Sequence, residues 1–363
     1  MTYHPAHISR LEVQIPGAPE SGLQIAPKTV RDVEAVVRYA AEREMTIQVW
    51  GGGTHSGYGS PPEPDFVMSM ANLSDVEVWE PDDLTIVIGA GATVESTEAM
   101  LAERNQTLVM PEHPGAATIG GVISAGVSGL RRGRLYATRE RVLEVTLITG
   151  DARRVRSGGR VVKNVTGYDL HRLAVGAFGS LGIVISVCLK LWPVPPGAVT
   201  VDIEEVDQAG AITRPLAILE TRDGVQLFLQ GTEAEVEGQA ARVGGPAQPG
   251  LDWPEDPTDE WQWSLRVPPA LTRTAIDRIA PDWRYLAIHG VGEIRLASPS
   301  SAGAAELRSW AESVGGNLVV TKGIPTEFDP WGSPPPGLAL QRRIIEEFDP
   351  LRILNPGRLP GGL

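Results

Sequence analysis

Apolar residues recur along the chain at two periods, and the switches between them mark out its elements. In residues 29–43, Val30, Val33, Val37 and Ala40 fall on one helical face, and Thr29 with Asp32 offers an N-terminal cap. Residues 46–50, 66–70 and 84–88 are short apolar runs that predict strands, while 93–104 predicts a second helix capped by Thr93 and ending near Asn105. A strand at 142–149 turns at Gly150-Asp151 into a hairpin partner at 152–156. The long run from Ile183 to Leu191 must be a buried strand, and Pro193, Pro195 and Pro196 end it in a linker. Beyond the linker, strands are expected at 199–206, 225–230, 285–288 and 294–296. Helices are expected at 212–219, 302–314 and 338–348, a mixture that predicts an α+β arrangement. Trp253, Trp261 and Trp263 fall in an acidic, proline-containing segment, where core packing is the expected use and a lid the alternative.

Three glycine-rich stretches interrupt this pattern. Residues 46–50 empty into Gly51-Gly52-Gly53-Thr54-His55-Ser56-Gly57, which either presents backbone N–H groups to a phosphate or makes a plain turn. It is neither a dinucleotide GxGxxG nor a Walker loop. In residues 111–127 large side chains are absent for about a dozen positions, so a ligand or another backbone can approach. The stretch 161–191 places Gly176, Gly179 and Gly182 before the buried strand, for a tight turn or for close contact with a flat or anionic group.

At 363 residues two domains are the default, and 41 glycines with 30 prolines indicate many tight loops. The formal charge, 32 minus 45 or −13, argues against a nucleic-acid binder. It is uneven: from Arg131 to Lys163 ten basic residues face three acids, which reads as a solvated face or as a rim for phosphate or an acidic partner. The single Cys188 lies in the apolar strand, excludes an internal disulfide, and cannot by itself hold an iron–sulfur cluster. Neither a signal peptide nor a transmembrane helix is expected, and a cytoplasmic location is.

Together GGGTHSG (51–57), HPGAATIGG (113–121) and KNVTGYDLHRLAVGAFGSLGIV (163–184) resemble the FAD-binding domain of the vanillyl-alcohol oxidase and p-cresol methylhydroxylase superfamily. The closing FDPLRILNPGR (348–358) is similar to the tail of its lactate and glycolate dehydrogenase branch, in particular the FAD-binding E subunits of bacterial glycolate oxidases. The resemblance implies a two-subdomain FAD-binding domain at 1–196 and a reduced α+β cap domain at 197–337. A C-terminal helix and tail at 338–363 would return to the FAD domain.

It further implies noncovalent FAD, since His55 does not match the register of the histidine that some members join to flavin. The cofactor would be held by Trp50, Gly51, Gly52, Gly53, Thr54, His55 and Ser56 of the first loop. Pro114, Gly115, Ala117, Thr118, Gly120, Gly121, Ser124 and Gly126 would contribute from the second. Gly179, Gly182, Ile183, Val184 and Asn355 complete the set. No arginine clamp on the pyrophosphate is required.

The branch carries HxGDGNxH in its cap, whereas here His289-Gly290-Val291-Gly292-Glu293-Ile294-Arg295-Leu296 keeps only the first histidine, and no metal is expected. The implied function is that of an electron-transfer or structural flavin subunit of a glycolate oxidase (glycolate dehydrogenase) complex. That complex converts a 2-hydroxy acid to a 2-oxo acid, glycolate to glyoxylate, with a catalytic flavin subunit and an iron–sulfur subunit as partners, at the inner face of a membrane or free of it. The alternatives are a self-sufficient FAD-dependent 2-hydroxy-acid dehydrogenase, with His289 as base and Arg295 as carboxylate clamp, and a scaffold with a vestigial flavin site.

Overall fold

The computed structural model describes residues 8, 10–19, 22–160, 168–323 and 328–363. The start of the third glycine-rich stretch (161–167), including Lys163, lies outside the described residues.

Most predicted elements form where the apolar period placed them. The helix Val30–Ala41 opens on a capping box: Asp32 N–H donates to Thr29 Oγ1 at 3.2 Å and Thr29 N–H to the Asp32 carboxylate at 2.9 Å. Its face of Val33, Val36, Val37 and Ala40 packs on the parallel sheet formed by Leu23–Ile25, Phe66–Ser69 and Ile47–Trp50. The buried strand Ile183–Lys190 is the centre of an antiparallel sheet of five, between Thr85–Gly89 and Val142–Ile148, with Val76–Glu80 and Arg154–Gly158 at the edges. Cys188 is enclosed there, and burial followed by the nearby Glu144 charge pushes its thiol up to about 11.

The proline-rich segment is not a bare linker, because Trp192–Pro193 pairs antiparallel with Gln106–Thr107. After it the chain builds an antiparallel sheet of eight: Ala247–Pro249, Gly197–Ile203, Gly224–Gly231, Ala217–Thr221, Arg284–Ile288, Glu293–Ser298, Trp261–Arg266 and Asn317–Lys322. The helix expected at 212–219 is absent. Pro215 breaks the helical ladder, a 3₁₀ turn spans Val206–Ala211, and Ala217–Thr221 pairs with Gly224–Gly231 as a hairpin. Trp263 is fully buried between Trp283 and Trp261 in the core of this sheet, so the tryptophan segment is packing and not a lid, and Trp253 stacks on Phe228 at 4.3 Å.

The two halves share a core in which Val109, Leu130 and Leu135 meet Leu219, Phe228, Leu286 and Ile288. The basic run is largely paired, through Arg131–Glu112, Arg132–Glu293, Arg153–Asp151, Arg154–Glu34 and Arg156 and Arg160 with Glu144. The described part of the run is thus mostly neutralised, with Arg153, Arg154, Arg156 and Arg160 solvated and Arg141 buried. Among the described residues no helix is long and apolar enough to cross a membrane.

The chain end returns to its beginning. After the helix Leu338–Phe348, Ile47 N–H donates to Ile353 C=O at 2.7 Å and Asn355 N–H to Ile47 C=O at 2.8 Å, which adds a parallel bridge beside the first sheet. Asp349, with no exposed surface, accepts from Ile353 N–H at 3.1 Å and Leu354 N–H at 2.8 Å. Asp349→Ala is expected to strand both donors and cost roughly 2 kcal/mol or more, read as a lower denaturant midpoint.

Candidate functional site

Two glycine loops are interlocked at the centre of the molecule. A Cβ on Gly51 would overlap the Thr118 hydroxyl, and one on Gly52 would overlap the Ala116 carbonyl. The glycines are therefore required because the second loop lies against the first. Thr118 caps the short helix Ile119–Ala125, which no apolar period in the sequence predicts, and Gly126 closes it in the left-handed region at φ +67°. Among the described residues, the N–H groups of Gly52, Gly53, Thr54 and His55 find no protein acceptor.

These loops line a cavity together with most of the predicted cofactor residues. Trp50, Gly51, Gly52, Gly53, Thr54, His55 and Ser56 form one wall, and Thr118, Gly121, Ser124 and Asn355 the other. Gly120, Gly179 and Val184 border an adjoining recess. Pro114, Gly115 and Ala117 face a second cavity of about 250 Å³, which Thr54 and His55 also reach. Gly126, Gly182 and Ile183 line none of these spaces: Gly126 abuts Gly176, Gly182 turns the chain against Ile148 C=O, and Ile183 is wholly buried. Asn355 fixes the loop's strand by accepting from Val49 N–H at 3.2 Å.

Three further groups line the first cavity without a mark in the sequence pattern. Phe178 closes the first cavity. Gln48 is 6% exposed and its Oε1 has no partner among the described residues. Arg358 is 5% exposed and forms no ion pair among the described residues. Exposed N–H groups, an orphaned buried acceptor and an uncompensated cation together fit a phosphate-bearing ligand with polar edges.

The second cavity lies between the second loop and the eight-stranded sheet. Gln262, Ser264, Arg266, Glu293 and Arg295 share one sheet face, with Ser264 opposite Arg295 and Arg266 opposite Glu293. Arg295 is fully engaged: NH1 donates to Asp256 at 2.6 Å, NH2 to Ser128 C=O at 2.9 Å, and Nε to Glu293 at 3.5 Å. Burial would weaken its charge, but Asp256 and Glu293 outweigh that and raise its pKa. Burial would likewise raise Glu293, and Arg295, Arg266 and Arg132 hold it below the usual carboxylate range. The exposed side chain of Arg266, by contrast, makes no hydrogen bond or ion pair among the described residues, although its charge is felt by Glu293 across the strand pair.

His289 is elsewhere. It lies on the opposite sheet face, where Nε2 meets Glu220 Oε2 at 2.8 Å, and Glu220 also accepts from Tyr285 and Arg273. The structure thus does not bring His289 and Arg295 together as base and clamp, because the pleat sends their side chains to opposite faces. The imidazoles at the cavity are His55 and His113. His113 is occupied at both nitrogens, by Glu255 at 3.4 Å and Trp253 C=O at 3.2 Å. His55 contacts Thr54 Oγ1 through Nδ1 at 3.0 Å and leaves Nε2 unengaged. Burial and then the Arg295 charge hold His55 down to about 4, and burial pushes Tyr58 up to about 12.

The architecture is therefore a loop-built cradle for a phosphate-bearing group, opening into a charged cavity. Residues 23–158 match the FAD binding domain family. The chain carries an FAD-binding domain of the p-cresol methylhydroxylase type, related to bacterial glycolate-oxidase subunits, within an α+β fold. It is 32% identical to D-lactate dehydrogenase of Archaeoglobus fulgidus over 49% of this chain, a match spanning only 40% of that protein. It is 28% identical to the glycolate oxidase subunit GlcE of Escherichia coli over 77% of this chain and 83% of that protein. Among solved structures, alkyldihydroxyacetonephosphate synthase superposes with a TM-score of 0.67 at 15% identity, covering 92% of this chain and 75% of that one, a likeness of fold.

Gly52→Ala is expected to separate the loops at a cost of about 1–3 kcal/mol, seen as a lower melting temperature together with loss of bound flavin. A histidine whose folded pKa lies below its unfolded value takes up its proton more readily when unfolded. Stability linked to His55 should therefore decline as pH falls from 6.5 toward 4. His55→Asn should flatten that part of the stability–pH curve, measured by urea melts across the window.

Proposed function

We propose that the chain is an FAD-dependent oxidoreductase that converts a 2-hydroxy acid to the corresponding 2-oxo acid. The observation that carries this reading is the Arg266 guanidinium, which has no hydrogen bond or ion pair among the described residues and lines a cavity that shares Thr54 and His55 with the loop cradle. Several relatives bear names that share that substrate chemistry: D-lactate dehydrogenase, D-2-hydroxyglutarate dehydrogenase and glycolate oxidase subunits.

In this reading the free N–H groups of residues 52–55, with the hydroxyls of Thr54, Ser56, Thr118 and Ser124, hold the cofactor's diphosphate noncovalently. Asn355 keeps the cradle's strand in place. FAD supplies a two-electron acceptor when bound. Arg266 receives the substrate carboxylate as a charge-assisted pair, while Arg295, locked by Asp256 and Glu293, fixes the cavity wall. His55, neutral at physiological pH and engaged only at Nδ1, accepts the hydroxyl proton at Nε2. Tyr58 stays protonated there, so its phenolic O–H can donate but cannot serve as a phenolate base.

A second reading, a flavin subunit beside a catalytic flavin subunit and an iron–sulfur subunit at a cytoplasmic site, is favoured by one observation. Similarity to GlcE runs through most of the chain, whereas D-lactate dehydrogenase matches about half of it. An anaerobic absorption spectrum of the purified chain before and after glycolate or D-lactate separates the two. Bleaching of the flavin band, near ~450 nm, supports the self-sufficient enzyme. A band that stays oxidised supports the subunit, and a colourless protein that takes up no FAD sinks both.

If the chain turns over alone, Arg266→Met should raise KM roughly 30-fold with a smaller change in kcat. His55→Asn should lower kcat on the order of 100-fold with flavin retained. The wild-type rate should fall only as pH drops through about 4, where His55 becomes protonated.

A further inference from the structure

Arg358 is a buried cation with no ion pair among the described residues. Its side chain lines the cradle cavity and holds the first glycine loop, where NH1 donates to Ser60 C=O at 3.3 Å and NH2 to His55 C=O at 3.2 Å and Ser56 C=O at 2.6 Å. Phe178 lies 5.7 Å from the guanidinium carbon. Trp331, edge-on to Phe178 at 5.4 Å, donates from its indole N–H to the Arg358 carbonyl at 3.0 Å. No ion pair reaches Arg358 among the described residues, and burial alone pulls its pKa down to about 10, so it remains charged at neutral pH.

Placing a charge in such surroundings costs free energy unless a counter-charge arrives. Arg131 has Glu112, Arg132 has Glu293 and Arg295 has Asp256, whereas the buried Arg141 and Arg308 form no ion pair among the described residues but line neither cavity of the site. Arg358 instead borders the loop cradle, whose unengaged N–H groups present only positive dipole. Its three carbonyl acceptors also tie the loop down.

We propose that Arg358 supplies the counter-charge for the ligand's diphosphate and makes this site select dinucleotide flavin over uncharged flavin or nucleoside. The inference rests on the FAD reading above and deepens it. Diphosphate recognition would then combine loop N–H dipoles with one full positive charge, delivered by the chain's far end. Gln48 Oε1, orphaned in the same cavity, is available to a hydroxyl or amine of the ligand and contributes no charge.

The test is equilibrium binding to the flavin-free full chain, with flavin fluorescence quenching for FAD and riboflavin and calorimetry for ADP and adenosine. Wild type should bind FAD and ADP with affinity that falls as salt rises, and riboflavin and adenosine with little salt dependence. Arg358→Met should weaken FAD and ADP roughly 30-fold and leave riboflavin and adenosine within about threefold. Arg358→Lys, which keeps the charge with fewer donors, should restore most of the loss. Circular dichroism melts confirm that the variants compared are folded.

Should Arg358→Met not fold, the salt dependence of wild type and the behaviour of Arg358→Lys decide. Salt-insensitive ADP binding, or Lys as weak as a neutral residue, overturns the proposal. If wild type binds FAD and Arg358→Met binds it equally well, the proposal fails while the FAD reading stands. If wild type binds no FAD, both fall.

Discussion

Everything at the centre of this molecule depends on two backbones approaching more closely than side chains allow. Gly51 and Gly52 leave room for residues 116–118, and any Cβ there would strike Thr118 or the Ala116 carbonyl. That contact holds the first loop so that its N–H groups at residues 52–55 face open space and not one another. It also sets the start of the helix Ile119–Ala125, because Thr118 must be free to cap it. Binding capacity is thus a by-product of packing: a loop fixed at this distance cannot satisfy its own donors.

The C-terminal segment completes the same device from behind. Asp349 orders the turn after the last helix, Ile353 and Asn355 bond to Ile47, and Asn355 accepts from Val49. Arg358 then reaches the carbonyls of the loop itself. Residues some three hundred positions apart hold one strand and the loop that follows it. Charge is handled differently in the neighbouring cavity. There Glu293 and Asp256 pair with Arg295 and Arg132, while the Arg266 side chain forms no ion pair among the described residues.

Local chemistry was readable where a short segment decides its own structure. Thr29 with Asp32, Thr93, and the apolar run at Ile183 each act through neighbours a few residues away, and the elements form as expected. The glycine stretches were legible as places of close approach, though Gly126, Gly176 and Gly182 serve turns and packing and leave the cavities to others. Residues 212–219 misled because their apolar spacing fits a helix or a strand. Pro215 and the long pairing with Gly224–Gly231 decide for the strand. The helix at Ile119–Ala125 was hidden by Gly120 and Gly121, poor helix formers that are tolerated because Gly120 packs on Ala90.

The sequence by itself determined the α+β character, the caps, the loops and the kind of cofactor they resemble. These follow from residue types and short spacings. Tertiary structure alone decided which charges are spent and which are free. His289 and Arg295 lie six residues apart, yet the pleat places them on opposite faces, one held by Glu220 and the other by Asp256. Arg266 and Arg358 carry no local mark that separates them from the chain's other arginines. Whether a guanidinium is neutralised depends on carboxylates brought near by sheet register and chain return, which no short stretch of sequence encodes.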